Sequence, residues 1–548
     1  MWRRIKWFVL VIFCIAALAF QKPIEKYFDI AKSLDIFATL FKEVNAYYVD
    51  EVDPQKLIRH GIEGMLESLD PYTDYIPEDE LENFQITTTG QYGGIGALIG
   101  IVNNKIVITH PYKNFPAYMA GIRVGDEIIS VNGKNVKGKT PAEISGLLKG
   151  PPKTNLEIKI KRAGKSETAT FQLHREKINL ANLSYAGMLD ANIGYIRLDD
   201  FTPGASKEVS QAITSLKATG ANKIILDLRN NPGGLLHEAV NIVSLFIEKG
   251  RDVVSTKGKV EEWNKTYKTL NQPLDKDINI AILVGEGSAS ASEIVAGALQ
   301  DYDRAILIGQ RTFGKGLVQT TRPLAYNAQL KVTTAKYFIP SGRCIQALDY
   351  THRKADGSVE RFADSLKVEF KTKGGRKVYD GGGLDPDIKV DEDYLGSITS
   401  ALVNEGLIFE FASNYCAVHP NKPNFKSFEL TQKDFDDFLA FIKTREFSYV
   451  SPLQDDAENL AATAKKERIY DQLSTELDGL IRKVQASKSV DVHHYKEEIM
   501  AVLKEQIGFH YDLHQGQAEA TLDNDKAILE ARKILNDSVA YNKMLLAN

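Results

Sequence analysis

From about Asn179 to Val390, short apolar runs with strand character alternate with runs of helical period. They are Ile193 to Leu198, the pattern around Val209 to Leu216, Lys223 to Leu228, Glu238 to Ile247, and Asn279 to Val284. Buried strands separated by amphipathic helices need crossover connections, so this alternation predicts an α/β core built on parallel strands. The charged stretch from His352 to Arg376 interrupts the pattern and reads as a solvated excursion.

The flanking segments follow other periods. Leu34, Phe37, Phe41, Val44 and Tyr48 recur at helical spacing, as do Leu57, Ile62, Met65, Leu66 and Leu69 before Asp70-Pro71 stops the helix. From Tyr92 to Arg175 the runs are short and of strand type: Lys105 to Thr109, Glu127 to Val131, Asn155 to Lys161 and Ala169 to Leu173, with Asn132-Gly133 as a hairpin turn. Beyond Tyr394 amphipathic helices dominate, as where Thr431 caps a run through Phe435, Phe438, Leu439 and Ile442 with Asp434 in the capping-box position. His510 and His514 stand four apart there, without the acidic residue of a zinc-binding HExxH pattern, and read as packing or surface residues.

A chain of 548 residues suggests about three to five domains. Hydrophobic residues at 43% and charged residues at 26% are ordinary globular values, which excludes a disordered chain and a multi-span membrane protein. A formal charge of -4 with no long basic run argues against nucleic-acid binding. Three cysteines without paired spacing exclude a disulfide framework and a zinc ribbon, while leaving one Cys344–Cys416 bridge open. At the start, cationic Trp2-Arg3-Arg4-Ile5-Lys6 precedes an uncharged apolar run from Trp7 to Phe20. That run fits a signal sequence, cleaved near Ala17-Leu18-Ala19 or kept as an anchor, so the chain is expected outside the cytoplasm.

The chemistry-bearing residues lie in the α/β part. Gly287-Ser288-Ala289-Ser290-Ala291-Ser292-Glu293-Ile294 follows an apolar strand and opens a helix. Small residues at such a turn permit a sharp bend and leave helix N-terminal amides free for an oxyanion, so a serine here is either a nucleophile or a cap. Twenty-five residues past Ser290, Gly314-Lys315-Gly316 sets one lysine in weakly charged surroundings, where desolvation favours the neutral amine a general base needs. Gln319, four residues on, falls on the same face and can orient that amine. Leu226-Asp227-Leu228-Arg229-Asn230-Asn231-Pro232-Gly233-Gly234 runs from a strand into a Gly-Gly turn. An amide of Gly233 or Gly234 can pair with that of Ala291 as an oxyanion hole, with Asp227 and Arg229 holding the turn. His237 allows a Ser-His-Asp alternative with Asp227, but its place in a helical pattern favours a surface or packing role.

Taken together, these elements resemble the carboxy-terminal processing peptidases, exported serine proteases of the tail-specific or S41 type. Pro340-Ser341-Gly342-Arg343 with Ile345-Gln346, Leu69-Asp70-Pro71, and Gly381-Gly382-Gly383-Leu384-Asp385-Pro386-Asp387 match as well. The resemblance implies Ser290 as nucleophile rather than Ser288 or Ser292, Lys315 as general base and Gln319 as its positioning partner. It implies a crotonase/ClpP-like α/β protease core with an inserted PDZ domain and helical N- and C-terminal segments. The expected boundaries are 1–20 signal peptide or anchor, 22–85 helical segment, 87–175 PDZ domain, 177–394 peptidase core and 395–548 C-terminal helical domain.

In the PDZ domain, Gly93-Gly94-Ile95-Gly96 is expected to form a backbone nest for a peptide's terminal carboxylate, beside an edge strand that accepts a peptide by β-augmentation. Leu148-Lys149-Gly150 departs from the Leu-Arg-Gly of many relatives, and lysine lacks the bidentate fork of arginine. The implied protein is a periplasmic or inner-membrane-anchored endopeptidase that takes protein C-termini and needs neither metal nor cofactor. Separately, the apolar faces of the N- and C-terminal helices, lying outside the expected core, raise the expectation of self-association, for example as a homodimer. The rival is a catalytically silent PDZ adaptor or chaperone of the cell envelope.

Overall fold

The computed structural model describes residues 27–546 apart from 355–357, 363, 392–393, 446, 448 and 450. The expected export segment over 1–20 lies outside the described residues. No helix among the described residues is long and apolar enough to cross a membrane. Two compact units divide the chain, one made of residues up to Glu78 with Gln319–Thr333, the other of Asp79–Val318 with Thr334–Asn548.

In the smaller unit a helix over 27–47 is followed by the helix Pro54–Glu67, and Phe37 of the first lies against Gly61 of the second. Asp53 caps the second helix through the amides of Gln55 and Lys56. Where Asp70-Pro71 stops the helical pattern, Asp70 is buried and accepts the Tyr72 and Thr73 amides, a local turn that competes with further helix. The strand Asp74–Ile76 then pairs antiparallel with Gln329, Leu330 and Lys331.

The larger unit is centred on a six-stranded sheet. Its order is Leu183–Met188, Ile193–Leu198, Lys223–Asp227, Asn279–Val284, Ile306–Gly309 and Ile388–Lys389, with the first pair antiparallel and the others parallel. The strands expected from the apolar runs at 193, 223 and 279 are all present. Because successive side chains point to opposite faces, each strand feeds two cores. One face, with Ile196, Ile224, Leu226, Ile280 and Ile282, is covered by the helices Ala205–Ala218, Leu236–Val243 and Ala291–Asp301. The other, with Ile225, Leu283, Ile306 and Ile308, is covered by the last two helices of the chain, Lys526–Asn536 and Ser538–Leu545. Tyr541 fixes this second layer: its buried hydroxyl accepts the Ile280 amide at 2.9 Å and donates to the Ile280 carbonyl at 3.1 Å.

Residues 97–174 form a sheet in the order Ala97–Val102, Lys105–Pro111, Glu127–Val131, Asn155–Lys161, Thr168–His174, with Ala97–Val102 at its edge. Asn132 and Gly133 both take positive φ in the expected hairpin turn before Lys134–Asn135. The helix Pro141–Leu148 starts on a capping box between Thr140 and Glu143 and buries Ile144 and Leu148 in this domain's own core. The expected cap of Thr431 on the helix Gln432–Lys443 is also formed, with Phe435 and Phe438 fully buried.

One expectation needs correction. The stretch from His352 to Arg376 is not simply solvated: it contributes to short hairpins, and the half-buried Arg376 lies between Asp303 and Asp387 at 2.7 Å from each. An arginine whose fork meets two carboxylates anchors a segment rather than solvating it.

Candidate active site

Ser290 stands where the strand Asn279–Val284 has ended and the helix Ala291–Asp301 begins, with φ 54° and ψ -112°. That backbone conformation is costly for a residue with a side chain and persists only where its surroundings impose it. The surroundings are specific. Ser288 donates to the Leu228 carbonyl at 2.8 Å and accepts the Gly285 amide, while Ser292 donates to the Asn231 carbonyl at 2.9 Å. Both neighbours are fully buried and engaged in holding the loop, whereas Ser290 is half-buried.

Asn231 is the hub on the facing turn. Fully buried, it donates from Nδ2 to the Leu198 carbonyl and accepts the Gly233 amide on Oδ1 at 2.9 Å, and its carbonyl accepts the Ala289 amide. Gly233, at φ 95°, comes so close that a Cβ there would lie 2.8 Å from Ser290 Cβ and 2.7 Å from the Ala291 nitrogen. The two expected halves of the oxyanion hole, the 233–234 turn and Ala291, are therefore neighbours, with the Gly233 amide committed to Asn231. Asp227, at the end of its strand, receives the guanidinium of Arg229 at 2.6 to 3.1 Å and the Tyr195 hydroxyl at 2.7 Å. Burial opposes its ionisation, but Arg229 outweighs that and holds the Asp227 carboxyl below its ordinary value.

The loop carrying Lys315 is attached to the serine by a residue that sequence reading left as part of a motif. Glu293 is fully buried in the first turn of the serine's helix. One of its oxygens accepts the Ser290 and Lys315 amides, each at 2.9 Å; the other accepts the Thr312 hydroxyl at 2.5 Å and the Gly314 amide at 2.8 Å. Burial pushes its pKa up to about 7 against the pull of these donors. Tyr337, also buried, turns its hydroxyl to the carbonyls of both Ser290 and Lys315. The only local signal for Glu293 was its capping-box spacing from Ser290; for Tyr337 there was none.

Gln319 belongs to the smaller unit, where its Nε2 donates to the Thr333 hydroxyl at 3.1 Å. The Thr333 amide donates in turn to Thr73 Oγ1, which donates to Asp70 at 3.0 Å. The Leu69-Asp70-Pro71 element thus supports the strand Gln329–Phe338, whose Thr333 is the partner of Gln319. His237 is 62% exposed at its side chain, and its recorded charge partner is Glu238 at 3.8 Å, in keeping with a surface role. Cys344 and Cys416 are both free thiols, so the bridge left open by the sequence is not formed.

Around the expected peptide nest, Gly94, Ile95, Ala97, Leu98 and Ile99 line one wall of a cavity of about 340 Å³ whose opposite wall is Pro141, Ala142, Ser145 and Leu148. The cavity lies between the sheet's edge strand and the helix Pro141–Leu148. Gly93 and Gly96 are not part of its lining. The Gly93 carbonyl accepts the Gly150 amide and the Gly96 carbonyl accepts the Tyr112 amide. Lys149 reaches Asn83 at 3.2 Å, while Arg175 holds the end of the helix through the Leu147 and Leu148 carbonyls.

Family models match three segments: "Peptidase family S41" over residues 192–351, "PDZ domain" over 107–162, and "Probable PDZ-protease, C-terminal helical domain" over 398–535. A "Probable CtpA-like serine protease" of Staphylococcus aureus (strain COL) is 40% identical over 57% of this chain, and the match spans 62% of that relative's length. The "Carboxy-terminal-processing protease" of Bartonella bacilliformis is 38% identical over 58% of this chain and 74% of its own length. Among solved structures, the photosystem II D1 C-terminal processing protease is 28% identical, covering 65% of this chain and 92% of that one at a TM-score of 0.34, a likeness on which nothing further rests. With three-quarters of the Bartonella relative covered at that identity, and the S41, PDZ and helical segments in succession, the chain belongs to the carboxy-terminal-processing proteases of peptidase family S41.

Proposed function

We propose that this protein is an exported serine endopeptidase that takes protein C-termini in its PDZ groove and cuts peptide bonds by acyl-enzyme chemistry. The observation that carries the reading is the convergence of the Ser290 and Lys315 backbones on Glu293, which ties a strained serine to a loop bearing one lysine.

In this mechanism the Lys315 amine takes the proton from Ser290 Oγ as Oγ attacks the scissile carbonyl carbon. The negative oxygen that develops is stabilised by the Ala291 amide with an amide of the Gly233-Gly234 turn. Collapse breaks the C–N bond, Lys315 returns the proton to the leaving amine, and water repeats the cycle on the ester. Gln319 enters this reading as the lysine's positioning partner on the family resemblance alone. The parallel sheet with its nucleophile at a helix N-terminus supports a crotonase/ClpP-like core.

The groove's apolar lining, with Leu98 and Ile99 on one side and Leu148 on the other, suits an apolar C-terminal side chain, and the edge strand suits an added peptide strand. Export, to the periplasm or the outer face of the inner membrane, rests on the cationic and apolar start of the chain. Self-association as a homodimer rests on exposed apolar residues of the N-terminal helix, such as Phe28, Leu34 and Leu40. A monomer by light scattering at micromolar concentration would remove that part of the proposal.

The test of the activity is cleavage of an unstructured reporter ending in apolar residues by the purified chain and by its Ser290→Ala variant. Loss of cleavage in the variant is expected. Equal cleavage would refute the serine mechanism, and binding without cleavage by either protein would favour the PDZ adaptor.

A further inference from the structure

The turn bearing Gly233 is held from a place the peptidase core does not supply. Arg229 has three nitrogens to place: Nε and Nη2 go to Asp227, and Nη1 reaches Asp525 Oδ2 at 2.8 Å, 296 positions away in the chain. Asp525 is the N-cap of the helix Lys526–Asn536, and its other oxygen accepts the Ile528 amide at 3.0 Å. The carboxylate is therefore divided, one oxygen for its own helix and one for the turn.

The arginine needs that second anchor. Arg229 and Asn230 border a polar cavity of about 440 Å³, also lined by Asp525 and Lys526, so without Asp525 the Nη1 end of the guanidinium would face an open space. The turn it stiffens cannot shift alone. The Leu228 carbonyl accepts from Ser288 and the Asn231 carbonyl from Ala289, and Asn230 lies where a Cβ on Gly287 would come within 2.8 Å of its Cα. Displacement on the Arg229 side therefore moves the loop that presents Ser290. The helix carrying Asp525 is itself fixed, by burial of Ile528, Ala531 and Leu535 on the core sheet and by Arg532 on Asp190 at 2.6 Å.

We propose that Asp525 is a positioning residue for the peptidase site, the means by which the C-terminal helical region holds Arg229 and the oxyanion turn against Ser290. This rests on the serine-peptidase reading above.

Helix capping alone would be a purely structural role, and one substitution separates the two. Asn caps a helix as well as Asp does, so Asp525→Asn keeps the bond to Ile528 and removes the charge facing Arg229. In the full chain, Asp525→Asn is expected to lower kcat about tenfold or more with KM for the apolar-tailed reporter nearly unchanged, as for loss of an interaction needed only at the reacting centre. Its melting temperature should match the wild type, and Asp525→Glu should restore part of the rate. Hydrogen exchange supplies a readout that needs no activity: amides of residues 228–234 should exchange faster in the Asn variant, with those of the PDZ strands unchanged. An Asn variant with wild-type kcat, in an assay where Ser290→Ala is dead, would overturn the proposal. If Ser290→Ala cleaves like the wild type, the peptidase reading fails instead, and exchange over 228–234 then decides alone: unaltered exchange overturns the role of Asp525 and faster exchange supports it.

Discussion

The backbone amides of Ser290 and Lys315 end on the same oxygen of Glu293, each at 2.9 Å. Twenty-five residues separate them in the chain, yet one buried carboxylate sets their separation in space. Tyr337 repeats the link on the carbonyl side.

Glu293→Gln should therefore damage both loops at once. Replacing either oxygen by an NH2 group sets it against two buried donors, at about 1–3 kcal/mol for each donor left unsatisfied. We expect a clear fall in melting temperature and a loss of kcat of about a hundredfold. A variant that melts and cleaves like the wild type would show that the shared carboxylate does not position the site.

The same carboxyl gives a pH dependence. Its folded pKa, about 7, lies above its ordinary 4.5 because of burial. Between these values the folded chain binds the proton more tightly than the unfolded chain, so this group's contribution to stability declines as pH rises from 4.5 through 7. The ionised form that accepts all four donors dominates only above that range, and activity should climb as pH passes 7. A rate independent of pH from 6 to 8 would contradict this.

Lys315→Ala should abolish cleavage while leaving the fold and peptide binding intact, because the Lys315 amide on Glu293 and the Lys315 carbonyl on Tyr337 survive the substitution. Melting temperature and binding of an apolar-tailed peptide report the second half of that statement. Unchanged turnover would remove the lysine from the mechanism.

Acid should loosen the PDZ domain from the C-terminal helices. His110 sits 4.8 Å from the His514 ring and 5.3 Å from Phe509, with Lys113 on Asp512 beside them; His510 is half-buried and bonded to Ser413. Burial, helped by His514 in the case of His110, lowers both His110 and His510 to about 4 from an ordinary 6.5. The unfolded chain then binds more protons between these values, so stability falls as pH drops from 6.5 towards 4. His110→Phe keeps an aromatic ring and removes one titration, and should flatten the dependence of melting temperature on pH in that window. An unchanged slope would count against the assignment.

Ala142→Trp places an indole beside the groove at an exposed helix position that lines it. We expect KM for apolar-tailed reporters to rise about tenfold, or ~1.4 kcal/mol, with turnover of short peptides lacking such a tail unchanged. Equal effects on both substrates would separate the groove from C-terminal recognition.

The strands at 193, 223 and 279, the Asn132-Gly133 hairpin and the Thr431 cap were all legible in the chain, because each depends on side-chain period or turn chemistry within a few residues. So were the candidate serine, lysine and glycine turn, whose residue types and spacing are local. What only the tertiary structure decided was which groups fill the space between these segments. Glu293 looks like an ordinary capping residue until it is seen to be buried under the Lys315 loop, and Asn231 is one polar residue in a turn until its amide is counted. Arg376, within a charged stretch, becomes an anchor only when Asp303 and Asp387 approach from elsewhere in the chain. The last two helices show only an amphipathic period, and nothing in that period says that their apolar face covers the open side of the core sheet, with Tyr541 on Ile280 and Asp525 on Arg229. Period fixes what an element is and which face it must bury; the partner that buries it is chosen by the packing of the whole chain, where hydrophobic attraction carries no sequence address.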